Sequence, residues 1–164
     1  MTSRRRWHLF SLGLIAALAV LAYSNSFHAP FILDDFKSIV GNPTTQLKDL
    51  SPKALAGAAA GHDSRRWLPN LSFGLNYYFG GDDVSGYHSV NFLVHLMAAW
   101  LVYALCLVTL DLPRVKGAYQ RREEIALATA ILWAVHPVQT GAVTYLVQRM
   151  TSMMSLFFLS SVLC

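Results

Sequence analysis

Two adjacent carboxylates are the residues of this sequence best placed to do chemistry. Asp34 and Asp35 stand in the apolar string Pro30-Phe-Ile-Leu-Asp-Asp-Phe36, and carboxylates are costly to remove from water unless they have a partner. One interpretation is a general base, or a metal-linked carboxylate, that deprotonates an acceptor hydroxyl. The other is a solvated pair, or a cap for the turn beginning at Phe36. A pair of acids is a weak motif by itself.

Three arginines could complete a site around these carboxylates. Arg65 and Arg66 could bind a phosphate or pair with the aspartates, or they could be interfacial cations that face lipid headgroups. Arg149 lies in an apolar segment, where an arginine suggests a functional site with an anionic partner. Its alternative is to snorkel to the membrane interface.

Polar residues also recur at helical spacing. His88, Asn91 and His95 follow one another at i, i+3 and i+7, so they share one helix face. That face could meet a polar site, or it could be satisfied by hydrogen bonds between helices; the structural role suits His95 better. His136 and Gln139 are expected to cap the third predicted helix. No Ser-His-Asp order, P-loop glycine pattern or HExxH motif is present.

The chain that positions these residues has the composition of an integral membrane protein. Of its 164 residues, 54% are hydrophobic and 13% are charged, whereas soluble domains carry about 25% charged residues. This composition excludes a disordered chain, a coiled coil and most soluble domains. The net charge of +4 comes from cations clustered beside apolar runs. Such clusters signal topology rather than a nucleic-acid interface, so no nucleic-acid partner is expected.

Four apolar segments predict about four membrane-spanning helices, over residues 7–23, 88–110, 122–136 and 143–164. Three arginines before the first segment predict a cytoplasmic N-terminus, with a cleaved signal peptide as the alternative. Residues 24–87 then form a long outer loop, and residues 111–121 form a short cytoplasmic loop. The apolar part of the third segment, residues 125–135, covers only about 17 Å as a helix. It ends at His136-Pro137, because the residue before a proline disfavours the α conformation.

The outer loop is predicted to carry short amphipathic helices that lie along the membrane surface. Ser51-Pro52 has the pattern of an N-cap and first helical residue for a helix through Ala60. Trp67 to Phe79 is dense in aromatic residues with asparagines between them, which is typical of an interfacial helix. A core helix of a soluble domain is the alternative for this segment. Asn42-Pro43 predicts a turn.

Four blocks of sequence, taken in order, resemble one family. They are Phe31-Ile-Leu-Asp-Asp-Phe36 with Asn42-Pro43, then Arg66-Trp-Leu-Pro-Asn-Leu-Ser-Phe-Gly-Leu-Asn76, then Gly86-Tyr-His-Ser-Val-Asn-Phe-Leu-Val-His95, and finally His136-Pro-Val-Gln-Thr-Gly-Ala-Val-Thr-Tyr145 with Gln148-Arg149-Met-Thr-Ser152. The family is the transmembrane and tetratricopeptide-repeat O-mannosyltransferases with their bacterial relatives, within the GT-C glycosyltransferase superfamily.

The resemblance implies an enzyme that moves a mannose-like sugar from a polyprenyl-phosphate donor to an acceptor hydroxyl. The acceptor would be a protein or glycan at the outer face of the membrane. Asp34 or Asp35, ranked equally, would be the catalytic base or would hold a divalent metal. Arg66 would hold the donor phosphate or orient the aspartates. The remaining substrate-binding candidates are His88, His136, Gln139 and Arg149.

The resemblance also carries expectations about the whole protein. The chain would be the N-terminal part of a GT-C-type membrane domain in a bacterial inner membrane, with its outer loop in the periplasm. Downstream spans and tetratricopeptide repeats would follow. Gly141 departs from the family, which usually has a glutamate after His-Pro-Val-x-Thr. The alternative from another functional class is a non-catalytic polytopic membrane module, either an assembly subunit or a transporter fragment.

Overall fold

The computed structural model describes residues 3–61, 64–115 and 117–164, and it contains no strand among them. Seven α-helices follow one another along the chain: α1 (Ser3–Tyr23), α2 (Pro52–Ala60), α3 (Trp67–Gly80), α4 (Val84–Leu110), α5 (Arg122–Ala134), α6 (Thr140–Thr144) and α7 (Arg149–Leu163). The connections contain a π-helical turn and four 3-10 turns: Phe36–Val40, Pro43–Thr45, Ser64–Arg66, Pro137–Gln139 and Leu146–Gln148. The all-α prediction is confirmed.

Three of these segments are long and apolar enough to cross a membrane. They are Arg4–Tyr23, Val84–Leu110 and Leu146–Leu163. A fourth candidate joins α5 to residues Pro137–Thr144 and bends by 50° at the break between them. The protein is therefore an integral membrane protein with three to four candidate spans, in agreement with the predicted number. The last span differs in detail, because residues 137–148 turn repeatedly before α7 begins at Arg149.

Small side chains let the long helices pack closely. The apolar core between α1, α4 and α5 contains five buried alanines, at positions 19, 99, 126, 130 and 134. Larger core residues, Ile15 of α1 and Leu96 of α4, fill the space beside them. Small residues are the usual solution for helix contacts inside a bilayer, where close backbone approach supplies the attraction.

The proline break after α5 leaves the Ala134 carbonyl without its usual partner in the helix, so other groups must satisfy it. The backbone N–H of Val138 donates to the His136 ring at Nδ1 (3.2 Å), so it does not serve the carbonyl of Ala134 four residues earlier. Tyr23 Oη (3.1 Å) and His95 Nε2 (2.9 Å) donate to that carbonyl instead. An unsatisfied carbonyl inside a membrane domain is expensive. His95 thus has the structural role that its position favours.

The two short helices expected in the outer loop are present and pack on each other. Ser51 caps α2, since its Oγ accepts from the Ala54 N–H at 3.2 Å. Gly74 of α3 lies so close to α2 that a Cβ at this position would be 3.1 Å from the Cβ of Ala58. On its inner side α3 buries Phe73 in a second apolar cluster with Ile39, Tyr87 and Leu146. The loop is thereby fastened to α4 and to the start of the last span.

Candidate functional site

The paired aspartates are the last two residues of a strained, closed turn that begins at Ile32. The backbone N–H of Asp35 donates to the Ile32 carbonyl at 2.9 Å, and the Ile32 N–H donates to Asp35 Oδ2 at 3.0 Å. Between them Leu33 adopts a left-handed conformation with φ of +47°, which costs a residue with a side chain about 1–2 kcal/mol. The turn is held in this shape by the Asp35 carboxylate.

The two aspartates then face opposite environments. Asp35 is fully buried, at 0% exposure, and its Oδ1 accepts from the Val147 N–H at 2.8 Å. Asp34 is exposed, and its backbone N–H donates to Tyr145 Oη at 3.2 Å. The Asp35 carboxylate therefore joins the outer loop to the segment before α7, while the Asp34 carboxylate is left accessible.

Arg149 is also fully buried, at 0% exposure. Its Nε donates to Asn91 Oδ1 at 2.7 Å, and its Nη1 donates to Asn76 Oδ1 at 2.7 Å and to Ser72 Oγ at 3.1 Å. Its Nη2 donates to the Tyr87 carbonyl at 2.8 Å. One guanidinium thus binds three elements together, namely α3, α4 and α7.

The partners of this guanidinium are neutral. No carboxylate in the described parts of the chain lies within 4.0 Å of it, and the ring of Phe73 lies 4.4 Å from its central carbon. The anionic partner considered for Arg149 is therefore absent from the described residues, and its complete burial rules out snorkelling. A cation–π contact and several hydrogen bonds compensate for the loss of water.

Asn91 links the arginine to the segment that Asp35 holds. Its Nδ2 donates to the carbonyls of Tyr145 (3.3 Å) and Leu146 (3.2 Å). The side chains of Asn91 and Asp35 therefore satisfy backbone groups of residues 145–147 that a continuous helix would pair internally. These hydrogen bonds allow the chain to turn before α7 begins at Arg149. We call Asp35, Asn91 and Arg149 the buried polar network.

A cavity of about 690 Å³ opens beside this network, and we call it the outer cavity. Its charged lining residues are Asp34, Lys37 and Arg66, and Tyr145 lines it as well. Loss of hydration raises the pKa of the Tyr145 phenol. The bond from the Asp34 N–H lowers this pKa, whereas the charge of the Asp34 carboxylate and its hydrogen bond with the phenol raise it further. The outer cavity therefore presents one accessible carboxylate, two cations and a neutral phenol, a set that suits proton transfer beside an anionic group.

Comparison with known proteins identifies close sequence relatives. The chain is 35% identical to Protein O-mannosyl-transferase tmtc2 of Xenopus laevis, over 92% of this chain and 18% of that protein. It is 37% identical to Protein O-mannosyl-transferase Tmtc1 of Drosophila melanogaster, over 86% and 16%. With Protein O-mannosyl-transferase TMTC3 of Homo sapiens the identity is 30%, over 95% and 17%. The chain belongs to the TMTC family.

The chain spans less than a fifth of the length of these relatives. The relatives are animal proteins, so they do not support the bacterial part of the prediction. No protein-family profile matches the chain, and no solved structure matches it.

In this TMTC family member, only some of the candidate site residues meet at the outer cavity. Asp34 and Arg66 line it. His88 is buried and donates from Nε2 to the Ala29 carbonyl at 2.9 Å, so it ties α4 to the loop. Gln139 lines a different cleft, of about 580 Å³, between α4, α5 and α7. His136 caps the turn after α5.

The residues that sequence reasoning missed are Lys37 and Tyr145, together with the Arg149 partners Ser72 and Asn76. All but Lys37 fall in the blocks that carry the family resemblance, which is the signal that could have found them. Gly141 is exposed, and a Cβ there would meet nothing within 4 Å. The backbone at this position therefore has room for a side chain, such as the glutamate usual in the family, to begin.

The residues around the aspartates do not fit a divalent metal. Both oxygens of Asp35 already accept backbone N–H groups. Residues 3–61, 64–115 and 117–164 contain no group of three or more His, Cys, Asp or Glu side chains able to hold an ion. Hard cations such as Mg²⁺ and Ca²⁺ need several oxygen ligands, and Asp34 alone does not supply them.

Proposed function

We propose that this chain is part of a membrane glycosyltransferase that moves a mannose-like sugar from a polyprenyl-phosphate donor to a hydroxyl of a protein or glycan acceptor. The observation that carries the proposal is the exposed Asp34 carboxylate on a cavity that also presents Arg66 and Lys37. Relatives named O-mannosyl-transferases, matched over most of the chain, support the same activity. The remaining spans and any tetratricopeptide repeats would come from the rest of the protein.

The proposed chemistry is a displacement at the sugar anomeric carbon. Asp34 accepts the proton of the acceptor hydroxyl as its oxygen forms a bond to that carbon. The bond from the carbon to the donor phosphate oxygen breaks, and the lipid phosphate leaves with the bonding electrons. Arg66 and Lys37 stabilise the charge that develops on this phosphate.

Asp35 and Arg149 have positioning roles in this proposal. Asp35 sets the turn that presents Asp34, and Arg149 fixes the segment that carries Tyr145 through Asn91. Burial of His88 and Arg149 supports positioning over substrate contact for both. Substrate contact by His136 and Gln139 stays a prediction.

We propose the topology and location that the sequence suggests. Arginines precede α1, which supports a cytoplasmic N-terminus and an outer position for residues 24–83. A bacterial inner membrane is proposed on the resemblance alone. The α2–α3 unit would then lie at the outer membrane surface, where Trp67 and Phe79 are exposed.

Transfer assays with the full-length protein test the proposal. Membranes would receive a radiolabelled polyprenyl-phosphate sugar, and wild type would be compared with Asp34→Asn and with Asp82→Asn, an exposed aspartate outside the cavity. We expect Asp34→Asn to lower transfer about a hundredfold or more, and Asp82→Asn to leave it unchanged. Equal transfer by wild type and Asp34→Asn at matched expression would remove Asp34 from the chemistry and favour a non-catalytic membrane module.

A further inference from the structure

The ends of three helices meet at the side of the protein that lies away from the outer cavity. Arg4 Nε at the start of α1 donates to Glu123 Oε1 at the start of α5, at 3.2 Å. Arg122 of α5 forms an ion pair with Asp111, the residue that ends α4. Since α4 has 27 residues, this end lies roughly 40 Å from the start of the helix. We call this set of segments the arginine face, which comprises residues 4–10, 111–114 and 121–124.

The arginine face has more cations than its own acids can neutralise. It contains six arginines and three acidic residues. Each acid is already paired with an arginine, in the pairs Arg4–Glu123, Arg121–Glu124 and Arg122–Asp111. Arg5, Arg6 and Arg114 are exposed, and no carboxylate of the described residues lies within 4.0 Å of these three side chains. The face therefore carries a surplus of three positive charges.

The segment proposed to lie at the other side of the membrane has no such surplus. Residues 24–83 contain five lysines and arginines and six aspartates. Apart from the buried Arg149, the positive surplus of the chain is thus concentrated at one side of the membrane domain. A partner that neutralises it must be anionic and must reach this side.

Two of the unpaired arginines lie one turn before exposed apolar residues of α1. Leu9 and Phe10 are 53% and 57% exposed, and they follow Arg5 and Arg6 by four residues each. Residues at i and i+4 are neighbours on one helix face. The first turns of α1 therefore present two cations and, directly beneath them along the span, two apolar side chains. A phospholipid has the same order of chemistry, with a phosphate at the membrane boundary and hydrocarbon chains below it.

Charge complementarity selects the class of phospholipid. A zwitterionic phospholipid has no net charge, so it does not neutralise the surplus of the arginine face. An anionic phospholipid has a net negative charge, and a guanidinium binds its phosphate with two parallel hydrogen bonds. Each basic residue beside an anionic lipid surface favours association about fivefold. Three unpaired arginines are therefore enough to enrich anionic lipid at this face.

We infer that the arginine face binds anionic phospholipid, with the lipid phosphate at Arg5 and Arg6 and the acyl chains against Leu9 and Phe10. In the topology proposed above this lipid belongs to the cytoplasmic leaflet, whose surface is negatively charged. The inference is independent of the proposed sugar transfer, because the arginine face contains none of the residues that line the outer cavity.

Photolabelling of the full-length protein in phosphatidylcholine nanodiscs tests the inference. The probe is phosphatidylglycerol with a diazirine in its acyl chain, and labelled peptides are mapped by mass spectrometry. We expect labelling of residues 7–13. The double variant Arg5→Gln, Arg6→Gln should lower this labelling at least tenfold, since two cations are removed. Lys48→Gln with Lys53→Gln removes the same charge from exposed positions of the outer loop and should change it less than twofold.

Two further measurements cover the case in which the glutamine variant does not fold. Arg5→Lys with Arg6→Lys keeps both charges and should keep most of the labelling. Wild type needs no substitution at all: raising the salt concentration from 0.05 to 0.5 M should lower its labelling several-fold, because exposed charges are screened. Labelling that responds neither to salt nor to the loss of both arginines would overturn the inference.

The choice of probe and competitor distinguishes the possible ligands. Phosphatidylcholine with the same diazirine should label residues 7–13 at least fivefold less than phosphatidylglycerol does. Equal labelling by the two probes would reduce the contact to ordinary bilayer hydrocarbon and would overturn the inference. Glycerol phosphate, a soluble anion without acyl chains, should not compete with the probe. Competition equal to that of unlabelled phosphatidylglycerol would make the face a site for soluble anions and would likewise overturn it.

Discussion

The buried polar network and the outer cavity contain the same kinds of charged group and use them in opposite ways. In the network, Asp35 and Arg149 are fully buried, and the partners of both are neutral backbone and side-chain groups. In the outer cavity, Asp34 and Lys37 are exposed. A charge that is shielded from solvent thus connects backbone segments here, whereas the carboxylate of its neighbour in sequence stays exposed at the outer cavity.

The energetic cost of each arrangement explains the division. A buried charge is tolerated only when several hydrogen bonds replace its hydration, so the groups around it become fixed in position. An exposed charge keeps its water and costs little. Changes in the network should therefore act on stability, and changes in the outer cavity should act on transfer.

The largest effect on stability is expected at Arg149. Its replacement by methionine keeps the apolar stem but leaves oxygens of Asn91, Asn76 and Tyr87 without this donor. Because each buried acceptor left unsatisfied costs about 1–3 kcal/mol, we expect the full-length protein to lose about 3 kcal/mol. Thermal unfolding in detergent measures this loss. Arg121→Met is the control, because that side chain is 79% exposed. An unchanged melting temperature for Arg149→Met would show that the network does not hold the segment before α7.

The same substitution at the two aspartates should have different effects on stability. Asp35→Asn puts an amide NH₂ where one carboxylate oxygen now accepts from Ile32 or Val147, so one buried N–H loses its acceptor. We expect a loss of about 1–3 kcal/mol. Asp34→Asn should change the melting temperature less, because the Asp34 side chain is exposed and the bond from its backbone N–H to Tyr145 is kept. Similar melting temperatures for the two variants would remove the distinction between connector and reactive group.

Substitution of Leu33, the strained residue before the aspartates, should raise the free energy of unfolding. Leu33 has φ of +47° and is 78% exposed, so Leu33→Gly relieves about 1–2 kcal/mol of strain and loses little packing. The greater freedom of glycine in the unfolded chain offsets about 0.5–1 kcal/mol. We expect a net gain of about 0.5 kcal/mol in chemical denaturation. Leu50→Gly, at an exposed position without a positive φ, should instead lose stability.

The smallest effect is expected at an exposed charge with a local structural role. Asp83 caps α4, and hydrogen bonds from the Ser85 hydroxyl and backbone N–H lower its pKa below the usual 3.8. Since the pKa is depressed in the folded state, the stabilisation is present above the unfolded-state pKa and is lost as the pH falls through the lower, folded-state value. Asp83→Asn keeps a capping acceptor that does not titrate.

The melting temperature of wild type should therefore fall more than that of Asp83→Asn as the pH is lowered from 5 toward 2. Identical slopes for the two proteins would show that the cap contributes nothing that depends on protonation. The comparison uses the same detergent and ionic strength throughout, because surface charges are screened by salt.

Much of the helical framework follows from local sequence rules. Apolar runs of bilayer length predict the spans, Ser51-Pro52 predicts the start of α2, and His136-Pro137 predicts the end of α5. These features depend on residues within a few positions of each other, so they can be read without knowing the fold. The family resemblance also predicts that Asp34 and Arg66 lie at one site, and both line the outer cavity.

Which charged side chains are buried, and which groups they contact, depends on the tertiary structure. Asp35 meets Val147, which is 112 residues away, and Asn91 meets Arg149, which is 58 residues away. Neither contact leaves a periodic signal in the sequence. Residue type and hydropathy could therefore identify the aspartate pair and the intramembrane arginine, but not which of these groups is buried. That choice depends on whether distant backbone donors and amide oxygens converge on a charge to replace its water, which is a property of the packed chain.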